Sequence, residues 1–197
     1  MNRRMIDLLL SWTGLVVAIV LLVAGGLLLY GSRFVQDQVH DQLASQKIFF
    51  PPADSPAVKG PEFAQMRQYG GRQLTTGAQA QTYANHFIAV HLSEVAGGKT
   101  YAEVSAAALA DPKNATLQQQ ADTLFRGTTL RGLLLNAYAF STVGRIAGAA
   151  AIVSLIDGVV LVVLSVAGFT RASRRRTGVA PPVELDQRAE PARSKAA

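Results

Sequence analysis

The chain has 197 residues, of which 49% are apolar and only 16% charged, with a formal net charge of +6 and no cysteine. That apolar excess needs either one large core or membrane spans to take it up, and the lack of cysteine excludes disulfide staples and thiolate chemistry. The basic excess is a poor sign of nucleic-acid binding, because seven basic residues against three acidic ones fall in the final 27 positions, where the cytoplasmic flank of a membrane segment accounts for them.

Read in chain order, a short basic start (residues 1–7, with Arg3 and Arg4) precedes an uncharged run from Leu8 to Ser32. The 22 apolar-rich residues Leu8–Leu29 exceed the roughly 7–15 of a signal-peptide core and no small-x-small junction follows Tyr30, so residues 8–30 are expected to be an uncleaved transmembrane helix. Val35, Val39 and Leu43 then continue one apolar stripe beyond the membrane, to an end expected at Phe49-Phe50-Pro51-Pro52. Pro, Asp, Ser and Gly through Pro61 read as a loop. A short helix is expected from Glu62 to Tyr69, closed by Gly70-Gly71.

Thr76 is a candidate N-cap for the next helix, whose stripe Ala80, Tyr83, Ala84, Phe87, Ile88, His91, Leu92 and Val95 ends at Gly97-Gly98. Thr100-Tyr101-Ala102-Glu103 matches a capping box, which predicts a helix to Ala110, stopped by Asp111-Pro112. A further helix with Leu117, Ala121, Leu124 and Phe125 is expected to end at Gly127. From Thr129 the pattern enters a second span, residues 146–169, as one helix of about 40 residues with Gly144 as its expected bend. No alternating pattern is long enough for a strand, and the tail, residues 170–197, is expected to be disordered, basic and cytoplasmic.

Flanking Lys and Arg place both termini in the cytoplasm: Arg3, Arg4, Arg171, Arg174, Arg175 and Arg176 lie on one side, against Arg33, Lys47, Arg131 and Arg145 on the other. Trp12, Tyr30, Tyr138 and Phe140 are suited to interfacial anchoring. The expected fold class is an all-α membrane protein, two transmembrane helices extended into a small helical extracytoplasmic domain (residues 31–145), in the plasma membrane as a multi-pass protein.

Few residues suggest chemistry. Gly97-Gly98-Lys99-Thr100 lacks the first glycine of a phosphate-binding loop, since Ser93 stands in its place, and it follows a helix rather than a strand; a helix end and a helix start explain it. His86 and His91 are five apart and diverge by roughly 140° on an α-helix, so they do not share a metal; His91 is expected in the core and His86 at the surface. No hydrolase elbow, zinc motif or positioned carboxylate pair occurs. The expectation is therefore no enzyme, no catalytic residue, no cofactor and no metal.

Asp157 falls at the centre of Ile146–Phe169, where an aspartate costs about 2.5–3.5 kcal/mol on insertion scales. Protonation, contact with small residues or another chain would have to offset that. Gly144 and Gly148 have the Gly-x-x-x-Gly form, and Ala150, Ser154 and Gly158 continue small residues beside Asp157. Asp157, Gly144, Gly148, Ser154 and Gly158 are thus the candidate membrane helix contacts, facing Gly14, Ala18 and Gly25-Gly26 of the first span or an oligomer partner.

Lys47-Ile48-Phe49-Phe50-Pro51-Pro52, Tyr83-Ala84-Asn85-His86-Phe87-Ile88-Ala89-Val90-His91-Leu92, Leu124-Phe125-Arg126-Gly127 and Leu130-Arg131-Gly132-Leu133-Leu134-Leu135-Asn136-Ala137-Tyr138 carry a resemblance. From about Ile6 to Phe169 the chain resembles a group of small, uncharacterised two-transmembrane membrane proteins of high-GC Gram-positive (actinobacterial) bacteria. Chains that look like this sometimes bear the label of an aromatic ring-opening dioxygenase, but the histidine spacing gives no support to an iron site. The resemblance implies no activity. The expected role is a non-enzymatic envelope protein acting by contact, as accessory subunit, scaffold or assembly factor. Its expected partners are the lipid bilayer and another membrane protein or a second copy, with no nucleic acid. The alternative is an extracytoplasmic sensor or ligand-binding module that signals through the membrane helices.

Overall fold

The structure is a computed structural model that describes residues 3–174. Two long helices, α1 (Arg3–Ser45) and α6 (Ala115–Arg174), enclose in sequence a segment of short elements. Those are 3₁₀ turns at Pro56–Val58 and Pro61–Phe63, then α2 (Ala64–Arg67), α3 (Gly77–Tyr83), a π-helix (Ala84–Ile88), α4 (Ala89–Ala96) and α5 (Tyr101–Ala110). No named strand forms among the described residues. The chain divides into a larger unit, Val20–Asp157, and a smaller one made of Met1–Ile19 with Gly158–Ala197.

Both long helices contain a window apolar enough to cross a membrane, and only 11% and 17% of those windows is buried in the protein. A helix at the core of a globular domain hides its apolar residues; these two leave most of theirs uncovered.

In the larger unit α1 stops at Ser45, earlier than the Phe49–Pro52 boundary expected from the prolines. Lys47 takes a left-handed conformation with φ 54°, which turns the backbone out of the helix, and the Gln73 side chain donates to the Ala44 carbonyl at 2.7 Å, occupying one of the carbonyls freed at the helix end. Residues 48–50 are then extended and exchange bonds with 71–74: Phe50 N–H donates to Arg72 O at 2.9 Å and Leu74 N–H to Ile48 O at 2.9 Å. The stretch expected to be a loop is tied down, because the Arg67 guanidinium donates to the carbonyls of Val58 and Gly60 at 2.9 and 3.0 Å.

Packing follows from this fold-back. Val39 and Leu43 of α1 and Leu134 of α6 form one core with Phe50, Val58, Phe63, Met66, Leu74, Ala80, Ala84 and Ile88. Each large side chain buried there contributes about 1.5–3 kcal/mol relative to exposure, so apolar packing alone can hold a cysteine-free segment. A satellite cluster joins Ala96, Val104 and Leu124.

Helix starts follow side-chain capping. Thr76 and Gln79 form a reciprocal capping box at α3, Thr100 and Glu103 another at α5, and the Asn114 side chain accepts from Leu117 N–H at the start of α6. Hydrogen bonds from the Thr100 backbone and hydroxyl hold the exposed Glu103 carboxyl below its ordinary range. Gly97, with φ 58°, closes α4 in the left-handed conformation that glycine adopts most easily.

The expected helix end at Gly127 is corrected, since α6 runs through both Gly127 and Gly144 without interruption. A Cβ at Gly127 would collide with the Leu92 side chain, so glycine serves there for close approach, not termination. Of the tail, Thr170 to Arg174 belong to α6, and the remainder lies outside the described residues.

The same reasoning predicts opposite outcomes at two glycines. A Cβ at Gly77 would run into Ser141 Cβ and lie 3.2 Å from Tyr138 Cα on α6, whereas one at Gly132 meets nothing within 4 Å. Gly77→Ala should destabilise by about 1–3 kcal/mol and Gly132→Ala should be neutral or stabilise by up to about 1 kcal/mol. Thermal unfolding of the two variants in detergent, followed by circular dichroism, checks both signs.

Candidate functional site

The most specific interhelix geometry is where α1 and α6 touch. In the larger unit a Cβ at Gly25 would lie 2.8 Å from Leu155 Cγ and 3.2 Å from Ala151 O, at Gly148 2.7 Å from Ser32 Oγ, and at Gly144 3.1 Å from Val35 Cγ1. Such gaps exist only because glycine has no side chain, and they let the backbones of an antiparallel pair approach closely. Above these contacts Gln36 and Ser141 exchange two hydrogen bonds: Gln36 Nε2 donates to Ser141 O at 2.7 Å and Ser141 Oγ donates to Gln36 Oε1 at 3.0 Å. In the smaller unit a Cβ at Gly14 would lie 2.7 Å from Ser165 Oγ, Gly168 meets Ser11, and the rings of Trp12 and Phe169 stack edge to face at 5.6 Å.

A seven-residue rhythm underlies these contacts. Along α1 the buried positions include Ser11, Ala18, Gly25, Ser32 and Val39, and along α6 Gly144, Ala151, Gly158, Ser165 and Ala172. Seven residues return a helix to within about 20° of the same face, whereas four overshoot by about 40°. The four-residue stripe expected from Gly144 onward therefore drifts off the contact face. Of its members, Gly144, Gly148 and Gly158 are buried or in contact, Ser154 is half-buried, Ala150 is exposed and Asp157 is exposed.

Asp157 lies about 140° round α6 from Gly144 at 100° per residue. It is exposed, standing to one side of the buried positions of α6.

His91 belongs to an aromatic row. Tyr83, Phe87 and His91 stack in sequence with ring centroids 4.8 and 4.3 Å apart, and Phe63 faces both Phe87 and His91. His91 Nδ1 bonds the Phe87 carbonyl at 2.8 Å. His86, expected at the surface, is half-buried with Nδ1 3.3 Å from the Glu62 carbonyl. The π-turn at Ala84–Ile88 went unseen in the sequence, so the angle of 140° between the two histidines, which assumes an α-helix, does not apply. Burial pushes the Tyr83 hydroxyl above its ordinary pKa. Arg131 of α6 donates to Asn85 Oδ1 in the π-turn at 3.0 Å. No group of three His, Asp or Glu side chains able to hold a metal occurs among the described residues.

Two of the surface depressions in the larger unit lie along α6. A groove of about 510 Å³ runs between α1 and α6, from Phe34 to Gln46 on one side and Leu133 to Phe140 on the other. A second, of about 320 Å³, lies between α5 and α6 and is lined by Tyr101, Leu109, Asp122 and Phe125 among others. Compared with protein-family models, with curated proteins and with solved structures, the chain matches none.

If the glycine seam holds the pair together, Gly144→Val, which would push into Val35 and Gln36, should cost about 1–3 kcal/mol. Asp157→Asn, on the far face, should change stability by no more than about 0.5 kcal/mol. Steric-trap or denaturant unfolding in detergent separates the two. Equal losses would place Asp157 in the seam after all.

Proposed function

We propose that the chain is a two-span integral membrane protein of the plasma membrane with both termini in the cytoplasm and the segment between its long helices outside. On this reading it acts without catalysis, by protein contact, as accessory subunit, scaffold or assembly factor. Two helices with uncovered apolar windows support the bilayer placement, and the Lys and Arg flanks support the orientation.

One observation carries the contact reading. In the segment assigned to water, Leu109 is 78% exposed and Phe125 54% exposed, and Phe125 stacks on Tyr101 at 5.7 Å beside the depression that Leu109 also lines. Phe125 precedes Ile146, where the second span begins on this reading, by 21 residues of continuous helix, about 32 Å at 1.5 Å per residue, so lipid tails do not account for its exposure. Clustered apolar side chains left open to water mark a surface that another protein covers. Asp157 adds a second place of contact, since a carboxylate on the outward face of a span is stabilised by a polar group from a neighbouring chain. The partner on this reading is another membrane protein or a second copy.

The cysteine-free chain allows a direct test. A single cysteine at Ala110, beside Leu109, should be labelled on intact cells by a membrane-impermeant maleimide, and a bifunctional cross-linker from the same cysteine should capture a neighbour in stoichiometric yield. Leu109→Asp with Phe125→Asp should abolish capture and leave labelling intact. Labelling only after lysis would contradict the orientation, and capture indifferent to the two aspartates would contradict the contact face.

A further inference from the structure

The groove between α1 and α6 has a chemistry of its own. Its floor is apolar, with Val39, Leu43 and Leu134 nearly fully buried, and Phe34 and Phe140, 54% and 63% exposed, stand at one end. Gln38 and Gln42 of α1, Gln46 in the turn that follows it, and Asn136 of α6 also line it. Four-residue spacing places Gln38 and Gln42 on one face of α1. Unlike Gln36, which is engaged with Ser141, these four carboxamides bond no protein side chain or carbonyl among the described residues.

We propose that this groove binds one acyl chain of an uncharged membrane lipid of the diacylglycerol class, whose hydroxyl and ester oxygens take the carboxamides as partners. The proposal goes beyond the contact reading and rests only on its bilayer placement.

Three properties select that occupant. The volume of about 510 Å³ falls within the roughly 300–1,000 Å³ of small-molecule sites, and an apolar floor with a few convergent polar groups is their usual make-up. Phe34 lies two residues beyond the uncharged run Leu8–Ser32 and Phe140 six before Ile146, so the groove opens where the apolar runs end and a lipid enters it along the helices. No ionisable side chain lines it. A phosphate headgroup would therefore meet no cationic side chain in the groove itself, whereas amides both donate to ester oxygens and accept from a hydroxyl.

The full chain in nanodiscs, irradiated with diacylglycerol bearing a diazirine in its acyl chain, tests this, with the matching phosphatidic acid as comparator. Adducts should map to residues 34–46 and 133–140 and exceed those of phosphatidic acid roughly tenfold. Gln38→Glu with Gln42→Glu, nearly isosteric and surface-placed, should lower diacylglycerol labelling by a similar factor, and Leu133→Trp should reduce it by filling the groove. Equal labelling by both lipids, adducts spread evenly along the spans, or labelling unchanged in all variants would overturn the proposal. A chain that does not co-elute with the nanodisc would overturn the bilayer placement and the lipid site together, and is distinguished by that elution alone.

Discussion

The close approach of α1 to α6, made possible by glycine and serine at the points of contact, is the constraint on which the rest of the larger unit depends. In the proposed bilayer setting, two such helices gain little by burying apolar surface against each other, because lipid tails are as apolar as leucine. What brings them together is dispersion between closely packed backbones and a small number of interhelix hydrogen bonds. Gly144 against Val35, Gly148 against Ser32 and Gly25 against Ala151 and Leu155 supply the first. The paired bonds of Gln36 with Ser141 supply the second.

That approach organises the segment between the helices. Val39 and Leu43 on α1 and Leu134 on α6 are held in one core with Phe50, Val58 and Met66, and Gly77 seats the start of α3 against Ser141 and Tyr138 of α6. The same two helices leave a groove beside the core whose floor is apolar and whose wall is amide-rich. Folding and the capacity to bind are thus two consequences of one helix pair, and a side chain added at the seam would be felt at both.

Much of this was legible in the residues. The two long apolar helices followed from runs without charge, α5 from its capping box down to the last residue, and the stripe from Ala80 to Leu92 from helical spacing, while Val95, expected on it, is 39% exposed. Three features were not. The π-turn at Ala84–Ile88 has no local signal, since it changes which residues face the core without changing their type. Lys47 in a left-handed conformation moved the end of α1, because the prolines mark where a helix cannot continue and not where it stops. The third is the rhythm of the contact face: four-residue spacing picks out Gly144, Gly148 and Gly158, which are buried or meet α1, while the buried positions recur every seven residues. Asp157, expected beside those small residues with a second chain as one way to offset its cost, is exposed.

Because the chain has no cysteine, the helix seam can be measured by one cross-link. An ideal Cβ at Gly148 lies 3.6 Å from Ser32 Cβ, within the ~3.5–4.5 Å that a disulfide spans. Ser32→Cys with Gly148→Cys should therefore oxidise rapidly to an intramolecular disulfide in membranes, read as a mobility shift reversed by reductant. Failure of that pair to bond, with efficient bonding of Ser32→Cys to Ala150→Cys or Asp157→Cys instead, would contradict the seam and the outward placement of Asp157.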